Sequence, residues 1–460
     1  MKKYLLFLLS LIGAAAPMAA QDSSSSDSIP IRIYDSVVFY DGYRMKDNPD
    51  SLLNDGVLRH SCSLYSRKLT DEQLDALGEK LNLNVFVEAC CDNYDRIGNI
   101  NIAFVEKGAE GYVPEETERI EIGRFITPFM NMNKEPKVVP YSYEVNYLSS
   151  LLRDKDLRAK YDLWLEFELF GVPYAANEQI RGCAGRSDVF AGTLEFVTNQ
   201  PAEATQGNIL VPIVMKKPEY IGANLNNYKK EATDTIGKTV KTYTFTVPED
   251  VEDAQLVLIT SNHGANAGGE EYNRRQHFVY VDGELVLTYK PGRDSCEPFR
   301  KYNTQANGIY GRSEMSDSEW QSFSNWCPGD VIDNRIIHLG AYKAGEHKVM
   351  IRVPRAKFVN KEGDIPVSLY FHGLKEGVFE SGVTEVAAMP SGVEIVKKDG
   401  LLMIETEEDV VSVEVYTVGA DMVHRQWNKN AIATDSFAPG VYVVCVDLAD
   451  GNVVSKKVML

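Results

Sequence analysis

Basic residues are scarce in this chain. Forty-eight lysines and arginines stand against 66 aspartates and glutamates over 460 residues, a formal charge of −18. Nucleic-acid binding draws on basic patches, so this balance argues against it and suits a neutral ligand. Histidine is scarcer still. The seven residues His60, His263, His277, His338, His347, His372 and His424 show no paired spacing. There is no Cys-x-x-Cys either, so no zinc signature is present, and no metal or organic cofactor is expected. Apart from Tyr4 to Ile12, which is too short to span a bilayer, no run is apolar enough to cross a membrane. No internal repeat of short period is visible.

What is present begins with an export signal. Lys2 and Lys3 precede the apolar run, and small residues follow through Ala20. This pattern predicts a secretory signal peptide over residues 1–20, cleaved after Ala20. No cysteine follows it, so a lipid anchor is not indicated. Gln21 to Ser28, rich in Ser and Asp, is expected to be a disordered leader. The product is then exported to the periplasm, the cell surface or the medium. Seven cysteines in an oxidising compartment predict at least one free thiol or an unusual pairing. For Cys62, Cys90, Cys91 and Cys183 the sequence leaves the partners open, including a bond between the adjacent Cys90 and Cys91.

At 44% hydrophobic and 25% charged, the chain has an ordinary globular composition, and its length suggests two to four domains. Period-2 alternation points to an all-β fold. Ile31–Tyr34 and Val37–Tyr40 are short strand candidates, and Asn84–Glu88 is another. Asp71 to Leu81 carries a helical stripe of Leu74, Leu77 and Leu81. From Asp162 to Phe170, Leu163, Leu165, Phe167 and Leu169 share the core face. Trp164, Glu166, Glu168 and Phe170 share the other. On pattern alone, both glutamates on that second face would point at water.

Val214 to Ile236 is polar and proline-containing and reads as an inter-domain crossing. A second all-β domain follows from Lys238, with strands at Thr242–Val247 and Leu256–Thr260 and a two-residue hairpin at Asp282-Gly283. The expected domains are 29–215, 216–375 and a small β-sandwich over 376–460.

Two stretches carry chemistry. In the first, Cys91-Asp-Asn-Tyr-Asp95-Arg96 precedes an alternating strand, Ile97 to Phe104, and Glu121-Ile-Gly-Arg-Phe-Ile-Thr-Pro128 comes soon after. In the second, Ser261-Asn-His-Gly264 leads to Gly268-Gly-Glu-Glu271-Tyr-Asn-Arg-Arg275-Gln-His277, and Asn325-Trp-Cys-Pro-Gly329 follows. Polar clusters at the mouths of rigid strands are common places to hold reacting groups.

These motifs, in this order and spacing, resemble the peptide:N-glycosidase F family of glycosyl-asparagine amidases. The resemblance covers residues 30 to 375. It implies two adjacent eight-stranded jelly-roll sandwiches with the site between them, and N-glycosylated peptides and proteins as partners of a monomeric enzyme. It implies Asp95 as the residue that activates attack, Glu271 as the ligand of the first GlcNAc and Glu168 as a supporting carboxylate. It places Tyr94, Arg96, Phe170, His263, Tyr272, Arg275 and Trp326 at the substrate, with Trp326 beside the sugar-binding cleft. It pairs Cys296 with Cys327. The family's type member flanks the Glu271 position with two cysteines, where this chain has Gly269 and Asn273, so loop rigidity must come from elsewhere. The end of the chain, Ala438 to Val444 and Ser455 to Leu460, resembles the C-terminal sorting domains of secreted Bacteroidota proteins and is expected to be separable from catalysis.

The implied reaction splits the amide between the first GlcNAc and asparagine, releasing the whole glycan and leaving Asp. An unperturbed aspartate, near ~3.9, is too acidic to be an efficient base at neutral pH. Burial and neighbouring carboxylates would raise it. Arg96 is available to polarise a carbonyl if the backbone bends there. Three alternatives compete: a non-catalytic glycan-binding sandwich, a glycosidase that uses two carboxylates between sugars, and a copper-dependent peptide hydroxylase. The last lacks the clustered histidines it needs.

Overall fold

The structure is a computed structural model. It describes residues 28–44, 56–214, 225, 237, 239–264, 270–293, 295–305, 316, 325–358, 363–379, 392–398, 400–449 and 452–460. The expected signal peptide, all of the leader but Ser28, and most of the inter-domain crossing lie outside these residues.

The chain is all-β. Its first part contributes β1 (Ile29–Tyr40), β2 (Val57–Arg59), β3 (Leu64–Lys68), β4 (Leu81–Ala89), β5 (Ile97–Glu106), β6 (Arg119–Ile126), β7 (Val138–Glu144), β8 (Tyr161–Leu169) and β9 (Asp188–Thr198). The order β1-β9-β4-β7 makes one sheet, and β6-β5-β8-β3-β2 makes the sheet packed against it. Alternation on β5 and β8 sends Ile100, Ile102, Phe104, Leu163, Leu165, Phe167 and Leu169 into the core between them. The opposite face of the second sheet carries the polar residues.

The second part contributes β10 (Asn208–Val214), β11 (Val240–Val247), β12 (Asp253–Thr260), β13 (His277–Val281), β14 (Glu284–Tyr289), β15 (Val331–Ile332), β16 (Arg335–His338), β17 (Gly345–Arg352) and β18 (Val367–Leu374). Its sheets run β10-β18-β12-β16 and β11-β17-β13-β14, enclosing Leu256, Leu258, Val279, Val349, Ile351 and Phe371. Asp282 and Gly283 both take positive φ between β13 and β14, forming the expected two-residue hairpin.

The sandwiches are laced together. β15 leaves the second and adds to the edge of β6 in the first, Val331 opposite Phe125 and Ile332 opposite Arg124. β10, which the sequence places before the 215/216 boundary, pairs with β18 of the second sandwich.

The tail adds β19 (Glu394–Lys398), β20 (Leu401–Glu405), β21 (Val410–Thr417), β22 (Met422–Trp427), β23 (Ala431–Ala433), β24 (Val441–Leu448) and β25 (Val453–Met459). These form the sheets β19-β20-β23 and β22-β21-β24-β25 around their own core. The tail does not stand apart. Tyr416, Val443 and Cys445 pack with Phe278 and Tyr280 of β13. Lys290 bonds both carboxylate oxygens of Asp447 at 2.9 Å, and the Tyr280 hydroxyl donates to the Val418 carbonyl at 2.6 Å.

Local expectations change in three places. Ile31–Tyr34 and Val37–Tyr40 are one strand, β1, with an irregular register around Ser36, which takes φ 51°. The helix over 71–81 is confined to Asp71–Asp75, capped by Thr70 and Gln73; Leu74 and Leu77 are buried, and Leu81 already opens β4. Glu166 and Glu168 do not face water: both are buried on the outer face of their sheet. No helix among the described residues is long and apolar enough to cross a membrane.

Candidate active site

Asp95 sits in the irregular stretch 90–96 between β4 and β5. Asp92 is the hub of this stretch. Its buried carboxylate accepts from Arg96 Nε at 2.8 Å and Nη2 at 3.3 Å, from the Tyr94 amide at 2.9 Å and from the Val172 amide at 2.7 Å. Thr127, from the Ile-Thr-Pro end of the long motif, braces the other side. Its hydroxyl accepts from the Arg96 amide at 2.7 Å and donates to the Tyr94 carbonyl at 3.1 Å. Asp95 is held between these two anchors. The backbone bends as Arg96 requires, but the guanidinium is committed to Asp92 and lies 5.2 Å from the Tyr94 ring centroid. Arg96, expected at a substrate carbonyl, shapes the loop in the structure through the buried carboxylate four residues away.

Glu271 sits on the second sandwich, between β12 and β13. Its Oε2 accepts from the Gly264 amide at 3.0 Å. Glu270 is buried and takes a two-pronged bond from Arg275, 2.9 Å from Nε and 2.8 Å from Nη2. The Asn325 amide nitrogen Nδ2 donates to the carbonyls of Glu270 and Glu271, each at 2.7 Å, and to that of Asn273 at 3.2 Å. The loop is therefore tied by an ion pair and by Asn325 where the family's type member uses cysteines. Arg275, expected at the substrate, is engaged within the loop.

The charge of Glu271 reaches Asp95. Burial pushes Asp95 well above the usual carboxylate range, and the charge of Glu271 pushes it further, against a smaller opposing pull from Arg96. Burial also raises Glu271, offset by hydrogen bonds from the Gly264 amide and Tyr272. Asp95 still keeps part of its surface open, so it is desolvated by dense surroundings without being sealed off.

Glu168, on β8 of the same sandwich as Asp95, lies opposite Asn99 of β5, and Asn99 is in turn opposite Arg124 of β6. Asn99 donates to Glu121, and Glu121 takes both Arg124 Nε at 2.8 Å and Nη2 at 2.7 Å. Glu166, one step along β8, is satisfied by Asn101 at 3.0 Å, Tyr112 at 2.8 Å and Arg119 at 3.0 Å. Glu168 thus belongs to a buried polar layer beneath the loops.

His263 bonds Ser261 at 2.8 Å, and its ring lies 5.9 Å from that of Trp326. Trp326 is 4% exposed, packed among Ile126, Phe129, Ile259 and the cystine, with Nε1 donating to the Asn262 carbonyl at 3.1 Å. Expected beside the sugar-binding cleft, it packs into the junction next to the disulfide. Tyr272 packs against the same cluster. Phe170 lies against Tyr43, centroids 5.3 Å apart.

Cys296 and Cys327 form a disulfide, as the resemblance implied. Cys91 bonds Cys183, tying the Asp95 loop to the segment after β8, while Cys62, Cys90 and Cys445 are not disulfide-bonded. Sequence reasoning missed Asp92, Thr127, Glu270 and Asn325 as anchors. Their only signal was their place inside the motifs.

Paired β-sandwiches laced by β15, with Asp95 on one and Glu271 on the other, define a class of two-domain all-β protein. Residues 30–183 match the N-terminal and residues 227–372 the C-terminal family model of peptide-N-glycosidase F. The chain belongs to the peptide-N-glycosidase F family. Among solved structures, PNGF-II is 17% identical with a TM-score of 0.54, the match covering 76% of this chain and 66% of PNGF-II, just under two thirds. PNGase F of Flavobacterium meningosepticum, a glycosylasparaginase, is 17% identical with a TM-score of 0.50, the match covering 78% of this chain and 99% of that one. At such identity the likeness is one of fold. No curated protein matches the chain.

Proposed function

We propose that the chain hydrolyses the amide between asparagine and the first GlcNAc of an N-linked glycan. The observation that carries this reading is the placing of Asp95, on a loop braced by Asp92 and Thr127 of the first sandwich, within reach of the charge of Glu271 on the loop of the second. Its raised affinity for a proton makes Asp95 a better base than an ordinary aspartate. Asp95 takes a proton from water as the water oxygen attacks the amide carbonyl. The tetrahedral intermediate collapses with cleavage of the carbon–nitrogen bond, and Asp95 returns the proton to the departing nitrogen. The products are a chain with Asp in place of Asn and a glycosylamine, which decays to the free glycan.

Glu271, open at its loop, accepts hydroxyl or amide hydrogens of the first GlcNAc, with Tyr94, Tyr272 and His263 around it. Glu168 supports the floor of the site. Two disulfides suit an exported protein. Mass spectrometry of a treated glycopeptide tests the reading. Release of the intact glycan with conversion of Asn to Asp is expected. A GlcNAc left on the peptide would mean a glycosidase, and an unchanged glycopeptide a binding protein.

A further inference from the structure

Three tyrosine and tryptophan side chains stand out as exposed among the described residues: Tyr43 at 68%, Tyr174 at 55% and Trp427 at 54%. The two tyrosines meet. Their rings are near parallel, 12° apart, with centroids 6.3 Å apart, and Tyr43 also sets its edge on Phe170. Phe170 is held flat from below. A Cβ on Gly42 would lie 2.4 Å from its ring, so only glycine lets the backbone approach this closely. Asp41, buried beneath the rings, anchors them, accepting from the Tyr43 amide at 3.2 Å and lying 3.5 Å from both the Tyr174 hydroxyl and Arg44 Nε. Exposed aromatic rings fixed in this way do not serve a core.

The platform is continuous with the candidate site. Phe170 follows Glu168 on the same face of the β8 line, a spacing of about 7 Å. The segment that carries Phe170 and Tyr174 is tied to the Asp95 loop three times. The Val172 amide bonds Asp92, Asn93 Nδ2 donates to Gln179 Oε1 at 2.8 Å, and the Cys91–Cys183 disulfide closes the far end. Tyr43 joins through the Gly42 amide, which donates to the Gly171 carbonyl at 2.8 Å. Platform and Asp95 loop therefore form one braced unit.

We propose that Tyr43 and Tyr174, backed by Phe170, are a subsite for neutral pyranose rings of the glycan beyond its chitobiose core. This rests on the amidase reading above. A pyranose offers an apolar face of C–H groups to the electron-rich face of a tyrosine. The site fixes the glycan arm without touching the scissile amide.

The test compares one peptide carrying either chitobiose alone or a high-mannose glycan, with wild type, Tyr43→Ala/Tyr174→Ala and Tyr43→Phe/Tyr174→Phe. The preference for the high-mannose peptide, as a ratio of kcat/KM, falls about tenfold through KM in the alanine variant and is kept in the phenylalanine variant. Calorimetry with free high-mannose oligosaccharide shows the same loss. An unchanged ratio overturns the proposal. So does a loss that follows peptide length, which would assign the platform to the polypeptide. If wild type releases no glycan from either peptide the amidase reading fails, and calorimetry with the free oligosaccharide still decides the subsite.

Discussion

Arg124 of the first sandwich reaches Ser261 of the second: Nη1 donates to the Ser261 hydroxyl at 2.9 Å and to the Pro366 carbonyl at 2.9 Å. Arg124 is fully buried, and its other nitrogens hold Glu121. Ser261 continues the chain of bonds to His263. One side chain thus sets the relation between the sheet beneath Asp95 and the segment leading to Glu271. Arg124→Met leaves Glu121 buried without its cation and costs about 3–5 kcal/mol, read as a fall in the chemical-denaturation midpoint. A variant as stable as wild type would show that the junction does not depend on this bond.

Thr127 brackets Asp95 by bonding both of its neighbours. Thr127→Val keeps the shape and removes both bonds. Displacement of a reacting group by an ångström can cost about 100-fold in rate, so kcat is expected to drop by about that factor with KM little changed. Thr127→Ser restores it. Equal kcat in Thr127→Val and wild type would remove Thr127 from the site.

The pH dependence follows from Asp95. Its affinity for a proton is raised by burial and by Glu271, so activity rises with pH as it ionises, above the ordinary aspartate value of ~3.9. Glu271→Gln removes the repelling charge, and the acid limb of its residual kcat/KM profile moves to lower pH. Asp95→Asn loses about 10²–10⁴-fold in kcat. Folded Asp95 binds its proton more tightly than unfolded Asp95. The stability it confers is therefore present below the unfolded value and lost as pH rises through the folded one. Asp95→Asn escapes that loss, so its Tm should exceed wild type at pH 8 and match it below about pH 4. An acid limb that stays in place in Glu271→Gln would uncouple the two carboxylates.

Glu270 and Arg275 hold the Glu271 loop. Arg275→Met strands a buried carboxylate, with an expected cost of about 3–5 kcal/mol and a loss of activity. The swap Glu270→Arg/Arg275→Glu recovers part of both if the pair acts by bracing the loop. Recovery of stability without activity would return Arg275 to the substrate.

A chain ending at Gly377 tests the tail. Sequence composition suggests a separable module, but removal bares Phe278 and Tyr280 on the strand that follows the Glu271 loop. Each such ring is worth about 1.5–3 kcal/mol when buried. The truncated protein is expected to melt at lower temperature than the full chain, and its kcat at low temperature reports whether β13 still positions the loop. Full thermal stability would show the docking to be incidental.

The sequence by itself determined the strands, because period-2 alternation is a property of neighbouring residues: Ile100, Ile102 and Phe104 had to share a face wherever β5 was placed. It determined the Asp282-Gly283 hairpin for the same local reason. Its motifs marked the candidate site, and the likeness they carried pointed to Asp95, Glu271 and the Cys296–Cys327 bond. The short helix ran past its true end because Leu74, Leu77 and Leu81 fit both a helical stripe and a buried strand start. Only the tertiary structure decided partners. Arg96 and Arg275 look free in sequence, yet each meets a buried carboxylate, Asp92 and Glu270, and a buried charge calls for an opposite one. Trp326 went to the core because the cystine and β15 close over it. Cys91 chose Cys183 over Cys90 because a disulfide forms where Cα atoms come within reach, here 5.5 Å, and sheet packing sets that distance, not spacing along the chain.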